Sequence, residues 1–382
     1  IRRQCFSPSA TMGRYKIPVG TAVSKIVLRL NSMLGSTLFV VDENGRLVGS
    51  LGLPDIRILH DEEELAVPVE DVCNKFPSIL TTEQNPYYDG RNIFLERHGI
   101  TVLPIINSDG VLVDLFFRYQ AFFSDAINSP CGEPKALSVM PYKHYAYSLL
   151  SCAKEALALG YDRFSAIEFG VAGGNGLAWL ERYAREVERY VGVGIDTYGF
   201  DCGEGLAESN DYRDIPYIFC AGDFKMDQEK LQRRLDSSRL VIGDILETLP
   251  GFCPVSRVGV VLCDVDYYSS AIPVLEFFAD DDTKFMPRVY LYFDDLPTRT
   301  VSFSPVGSEF QGESLAIKEF NAKSAQLKIS PEATNVSDKL KVAIDGVHAN
   351  GMKVLHRFSH PDYCKTLVSH RHHGFLNSSL FS

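Results

Sequence analysis

Two hydrophobic rhythms divide the chain. Between residues 15 and 120, short apolar runs are broken by turn residues, and the same series of runs occurs twice. TLFVVDENGRLVGSL (37–51) carries apolar stretches on both sides of Asp42-Glu43-Asn44-Gly45, a pattern that predicts two strands joined by a turn. ITVLPIINSDGVLVDLF (100–116) repeats it around Asn107-Ser108-Asp109-Gly110. Helix-like stretches precede both hairpins, TAVSKIVLRLNSML in the first copy and YYDGRNIFLERHG in the second. Two such helix-then-hairpin copies are expected to pack together as one α+β tandem module.

The second rhythm begins near residue 141. Apolar strand candidates at 164–171 (FSAIEFGV), 190–196 (YVGVGID), 239–244 (RLVIGD), 257–264 (RVGVVLCD) and 288–295 (RVYLYFDD) are separated by segments with helical spacing, such as GLAWLERYAREVERY (176–190). Strands alternating with helices predict an α/β domain with a doubly wound, mostly parallel sheet. Its ligand site belongs beyond the C-terminal ends of the strands. Residues 121–140 have neither rhythm and gather Ser, Pro and Gly, a linker composition. The expected order is an N-terminal segment (1–14), the tandem module (15–120), the linker (121–140), the α/β domain (141–362) and a tail (363–382).

Composition narrows the function. A chain of 382 residues exceeds one ordinary core, so two domains are expected. Hydrophobic content of 45% with 23% charge is that of a soluble protein. No apolar stretch approaches the ~20 residues needed to span a bilayer, and the first residues lack the apolar core of a signal peptide, so a cytoplasmic protein with no membrane partner is expected. The sequence starts at Ile1 rather than Met, as expected of a fragment or a processed form. A net charge of -11 argues against a nucleic-acid partner, because phosphate binding needs surplus Lys and Arg. The nine cysteines are scattered without a CxxC pair and read as reduced thiols. His356, His360, His370, His372 and His373 lack Cys or carboxylate partners at zinc spacing and read as ordinary histidines.

Candidate chemistry lies at the strand ends. In Ile167-Glu168-Phe169-Gly170-Val171-Ala172-Gly173-Gly174-Asn175-Gly176, a buried strand runs into a glycine-rich turn and then a helix. The glycines let the backbone bend and a ligand approach. The spacing misses G-x-G-x-x-G, since Ala172 and Asn175 fill the later positions counted from Gly170. Glu168 would repel a pyrophosphate and attract a sulfonium and ammonium ligand. Asp196 ends the next strand candidate, where an acid can accept ribose hydroxyls, and Asp244 ends the third, within reach of an adenine edge. Each of these acids alone would more simply be a helix cap. Asp264 and Asp266 stand two apart in LCDVDYYSS and share a face if the strand continues. Asp294 and Asp295 end the adjacent strand, and such a cluster calls for a hard cation, Mg²⁺ or Ca²⁺. Asp266 is the candidate general base for a hydroxyl proton. Tyr142, Tyr145 and Tyr147 precede the first strand and either line an acceptor pocket or pack within an amphipathic helix.

Two resemblances follow. FVVDENGRLVGSLGLPDIR resembles a cystathionine-β-synthase-type (CBS) domain, and the tandem module a pair of them; VLVDLFFRY departs from the pattern by lacking its Gly and its Ser/Thr-x-x-Asp. That resemblance implies an adenine nucleotide as a ligand of the pair, Asp55 as its ribose contact, and association into a homodimer. EFGVAGGNG, GDILETLP, DVDYYSS, FDDL and GESLAIKEFN resemble class I S-adenosylmethionine-dependent methyltransferases, and among them the macrocin O-methyltransferase family. This implies S-adenosylmethionine as donor, held by Glu168, Gly170, Gly173, Gly174, Gly176, Asp196 and Asp244. It also implies Mg²⁺ on Asp266, Asp294 and Asp295, a small-molecule or glycoconjugate acceptor, and O-methylation of a sugar hydroxyl. The alternative is an adenine-nucleotide sensor whose methyltransferase fold is catalytically silent. The longer stretch GFDCGEGLAESNDYRDIPYIFCAGDF departs from compact family members.

Overall fold

The structure is a computed structural model that describes residues 10–32, 37–56, 64–121, 141–296, 308–331, 351–365 and 367. The chain divides into two compact units, residues 1–130 and 131–382.

Among the described residues, the first element of unit 1 is α1 (Ala10–Tyr15), and two three-stranded sheets of the same design follow. In the first, β1 (Lys16–Pro18) runs parallel to β2 (Thr37–Val41), which pairs antiparallel with β3 (Leu47–Gly52). In the second, β4 (Leu80–Thr81) is parallel to β5 (Val102–Ile106), which pairs antiparallel with β6 (Leu112–Phe117). Helix α2 (Val27–Ser32) precedes the first hairpin, α3 (Leu53–Ile56) and α4 (Val69–Val72) follow it, and α5 (Arg91–Glu96) precedes the second hairpin. Asp42 and Asn107 close equivalent turns: Asp42 Oδ1 accepts from Asn44 and Arg46 amides, and Asn107 Oδ1 from those of Asp109 and Val111. The turns also complete each other, Leu47 N donating to Gly110 O and Leu112 N to Gly45 O.

Unit 2 is built on a seven-stranded sheet. Its strands are β7 (Arg163–Phe169), β8 (Gly194–Asp201), β9 (Arg239–Ile242), β10 (Val258–Cys263), β11 (Phe285–Phe293), β12 (Leu327–Pro331) and β13 (Met352–Arg357). The spatial order is β12-β13-β11-β10-β7-β8-β9, with β13 antiparallel to both neighbours and every other pairing parallel. The order of strand addition switches at the parallel β7/β10 pair, stepping one way from β7 to β8 and β9 and the other way from β10 to β11, so a crevice of this mixed α/β fold is expected beyond the C-terminal ends of those strands. A dinucleotide-binding sheet ends in a sixth parallel strand at this edge, whereas here antiparallel β13 is inserted.

Strand alternation sends side chains to two layers. Ile167, Phe169, Val261, Cys263, Leu291 and Phe293 join a core with α10 (Tyr268–Phe277) and α11 (Gly312–Lys323). Glu168 faces the other way, toward α6 (Lys143–Leu159) and α7 (Asn175–Val191). Short helices α8 (Gln228–Gln232) and α9 (Ile245–Thr248) flank β9.

One strand departs from the sequence reading. β8 was expected to end at Asp196 but begins at Gly194 and runs to Asp201. Gly199 is no turn: a Cβ there would stand 2.5 Å from Leu177 Cδ2 and 2.8 Å from Val171 Cγ2, so its role is to let α7 approach the sheet. β12 and β13 form an edge that the five expected strands did not include.

Candidate functional site

The glycine turn lies where β7 meets α7. Gly170 has φ +82° and Ala172 φ +47°, and Gly174 (φ +75°) is the N-cap of α7. Gly176 clears space for Glu168, whose Oε1 would lie 1.9 Å from a Cβ there. Gly173 is exposed and has nothing within 4 Å of a Cβ. Glu168 is buried and accepts a hydrogen bond from Tyr145 Oη at 2.7 Å. Burial raises its pKa well above the ordinary carboxylate value, opposed by the Tyr145 bond and reinforced by Asp264 and Asp201. Its second oxygen is buried without a hydrogen-bond partner.

The strand end expected at Asp196 lies elsewhere. Asp196 is the third residue of β8, ion-paired with Arg163 at 2.9 Å and accepting from Ser256 Oγ, so it does not end the strand. Asp201 does, a strand end that the sequence reading did not identify. Its Oδ2 accepts from Ala172 N at 2.8 Å and its Oδ1 from Gly203 N at 2.6 Å, tying the second strand end to the glycine turn. The signal was available, because Tyr198 and Phe200 continue the apolar alternation. Asp244 lies two residues beyond β9, exposed, and caps α9 by accepting from Leu246 N at 2.8 Å.

Three carboxylates converge beside this turn. One oxygen each of Asp264, Asp266 and Asp295 lies within 4.8 Å of the others. Oxygens sharing a hard cation at roughly 2.1–2.5 Å stand at most about 5 Å apart, so this set fits Mg²⁺ or Ca²⁺. The trio differs from the expected one, since Asp264 takes the place of Asp294. Asp294 is exposed and accepts from Tyr292 Oη at 2.5 Å. Strand alternation is not what aligns Asp264 with Asp266, because β10 stops at Cys263 and Asp266 is left-handed at φ +58°. Such backbone strain, of order 1–3 kcal/mol, concentrates at functional sites.

Burial, then Asp295 and Asp264, push Asp266 up to about 9; burial, then Asp294, pushes Asp295 up to about 6. A further acid, Glu313, was missed. It is fully buried at the start of α11, and its Oε2 accepts from Asp295 N at 3.2 Å. No local pattern marks it, because eighteen residues separate it from Asp295. Glu168 Oε2, Asp295 Oδ2 and Glu313 Oε1 are all buried oxygens without partners. Buried acceptors left this way are what a cationic ligand would satisfy.

Residues 202–227 wrap the start of α10. Buried Asp214 accepts from Ser269 N (2.8 Å), Ser269 Oγ (2.9 Å) and Ser209 Oγ (2.7 Å), while Tyr267 Oη donates to Ala207 O. Tyr217 Oη donates to Gln311 Oε1, reaching the residue before α11.

The remaining candidates are structural or only partly drawn in. Tyr145 serves Glu168, Tyr142 stacks edge-on against it at 5.3 Å, and Tyr147 is half-buried in α6. His356 bonds Tyr363 Oη and Ser330 Oγ, and His360 Nδ1 accepts from Asp362 N, so both are satisfied without a metal. His370, His372 and His373 lie outside the described residues. The described cysteines are all free thiols. Asp55 accepts from Gly52 N at 2.7 Å, capping α3. A cavity of about 370 Å³ in unit 1 is bordered by Thr37, Phe39, Ser50, Asn74, Ser78 and Arg97, and Asp55 is not on its wall. Among the described residues no helix is long and apolar enough to cross a membrane.

No protein-family model matches the chain, and no curated protein sequence matches it. Solved structures similar to its N-terminal part are CBS-domain proteins. The cytosolic domain of the Mg²⁺ channel MgtE in complex with ATP is 24% identical over 27% of this chain, with a TM-score of 0.24. The chain spans 42% of that structure's length. The CBS pair of a putative Mg²⁺ transporter from Shewanella oneidensis is 19% identical over 28% of this chain and 60% of its own, with a TM-score of 0.24. The Listeria monocytogenes CbpB protein in complex with c-di-AMP is 22% identical over 27% of this chain and 79% of its own, with a TM-score of 0.23.

Proposed function

We propose that unit 2 is an S-adenosylmethionine-dependent methyltransferase that methylates a hydroxyl of a sugar or glycoconjugate precursor with the help of a divalent cation. The observation that carries this reading is the convergence of Asp264, Asp266 and Asp295 beside a glycine turn bordered by Glu168 and Asp201. An acidic crevice suits a sulfonium donor and disfavours a pyrophosphate. The donor would supply an electrophilic methyl group, and Mg²⁺ on the three aspartates would supply positive charge that eases ionisation of the acceptor hydroxyl.

The chain's own residues do the rest. Glu168, buried and oriented by Tyr145, offers its unpartnered oxygen to the donor's cationic end. Asp201 offers its remaining lone pairs to the ribose hydroxyls at the end of β8. Asp266, set in the left-handed bend after β10, would take the hydroxyl proton. Residues 202–227, rooted at the first turn of α10, border the acceptor side. Calorimetry on the full chain should show S-adenosylhomocysteine binding, and turnover should fall at least about 100-fold when EDTA replaces Mg²⁺. Absence of binding at millimolar ligand would falsify the reading.

A second reading, an adenine-nucleotide sensor, is favoured by the cavity in unit 1. Its volume suits a small ligand, and Arg97 on its wall can pair a phosphate. Thermal shift separates the two readings. Stabilisation by ATP or AMP, with none by S-adenosylmethionine, would make the sensor the main function and unit 2 catalytically silent.

A further inference from the structure

An unpaired guanidinium stands at the glycine turn of an otherwise acidic crevice. Arg234, two residues beyond α8, donates from Nη1 to Gly173 O at 3.0 Å and from Nη2 to Asn175 Oδ1 at 2.7 Å. Its Nε is buried and has no hydrogen-bond partner, and among the described residues no carboxylate lies within ion-pairing distance of it. Burial, and then the like charge of Arg182, work against its protonated form. A half-buried cation with a second cation nearby and no counterion is costly unless an anion joins it.

The surroundings indicate which anion. Tyr142, at the start of α6 with φ +47°, has its phenol pKa raised by burial and then by Glu168, Asp264 and Asp294, while Arg234 acts in the opposite sense. One side chain is therefore close enough to feel both a group of carboxylates and a lone guanidinium. The turn carbonyl that Arg234 holds belongs to Gly173, the glycine with open space above it. Opposite charges flanking an open backbone are the complement of a zwitterion, and a guanidinium is the side chain best shaped for a carboxylate.

We propose that Arg234 binds the carboxylate at the amino-acid end of the donor while the acids around Glu168 take up its ammonium, so that the crevice selects an adenosyl ligand carrying an α-amino acid. This rests on the methyltransferase reading, and the experiment separates the two. The full chain and its Arg234→Gln variant are titrated calorimetrically with S-adenosylhomocysteine, its decarboxylated analogue and methylthioadenosine. The wild type should prefer S-adenosylhomocysteine to the decarboxylated analogue by roughly 10–100-fold, the range of a charge-assisted hydrogen bond. Arg234→Gln should lose that preference while binding the analogue within about twofold of wild type, and Arg234→Lys should fall between.

Equal affinity of the wild type for the two ligands overturns the proposal without any variant, which covers a variant that fails to fold. Equal weakening of both ligands in Arg234→Gln makes the arginine a brace for the turn and also overturns it. So does a variant that loses inorganic pyrophosphate but keeps S-adenosylhomocysteine, since the guanidinium would then serve a phosphate. A wild type that binds none of the three adenosyl ligands removes the methyltransferase reading itself.

Discussion

Asp264→Asn is expected to stabilise the cation-free protein and to abolish its response to Mg²⁺. Burial, followed by the charges of Asp294 and Asp295, raises the Asp264 pKa well above the ordinary carboxylate value. A carboxyl with a raised pKa keeps in the folded state a proton that the unfolded chain has lost. Stability is then greatest in acid and falls as pH climbs from the unfolded to the folded pKa. With Asp295 raised to about 6 and Asp266 to about 9, that fall runs from about pH 4 to about pH 9.

The wild-type thermal midpoint in EDTA should accordingly decline over this range, and added Mg²⁺ should raise it and flatten the slope, because the ion takes the place of the protons. Asn removes the cost of keeping a buried acid protonated, so the variant should be more stable in EDTA at neutral pH by about 1–2 kcal/mol, or roughly 3–6 °C for a unit of this size. The variant should not respond to Mg²⁺, and its turnover should drop by at least about 100-fold. A variant that is less stable without metal, or still stabilised by it, would show that these acids hold no ion.

Gly170→Ala should produce the largest loss of stability. A Cβ at Gly170 would lie 1.7 Å from Asp264 O and 2.6 Å from its carbonyl carbon, and the backbone sits at φ +82°. The obstruction is main chain on both sides: Gly170 N bonds Phe200 O, and Asp264 N bonds Phe169 O, so neither strand end can yield alone. The left-handed conformation costs about 1–2 kcal/mol for alanine, and the steric conflict should bring the total to roughly 4–5 kcal/mol. Gly173→Ala is the matched control. It meets nothing within 4 Å and should stay within about 1 kcal/mol of wild type, while its methyl group narrows the crevice and weakens S-adenosylhomocysteine binding. Chemical denaturation of the two variants tests this contrast, and equal losses would refute the close approach of β7 and β10.

The sequence already carried the features set by short-range pattern. The paired hairpins with Asp42 and Asn107 turns, the strand before Gly170 and the aspartates ending β10 and β11 are each written in a few adjacent residues. The errors came where tertiary packing overrode that pattern. β8 runs five residues past Asp196 to Asp201, through Gly199, whose missing side chain is required by a helix more than twenty residues earlier in the chain. Asp264 and Asp266 do converge, but through a left-handed residue that the alternation rule does not foresee. Glu313 and Arg234 each reach the crevice from separate helical segments, so no local spacing could mark them. Asp244 and Asp55 each accept a backbone amide at the start of a short helix.

The anchoring of residues 202–227 through Asp214 ties two jobs together mechanically. The same amide of Ser269 that Asp214 grips lies three residues after Asp266, so the segment and Asp266 share a single root. An acceptor that levers the segment outward would pull on the tight bend that aims the base. On the methyltransferase reading, choice of acceptor and alignment for proton removal would be one adjustment, and evolution of a new acceptor in this scaffold would have to retune both at once.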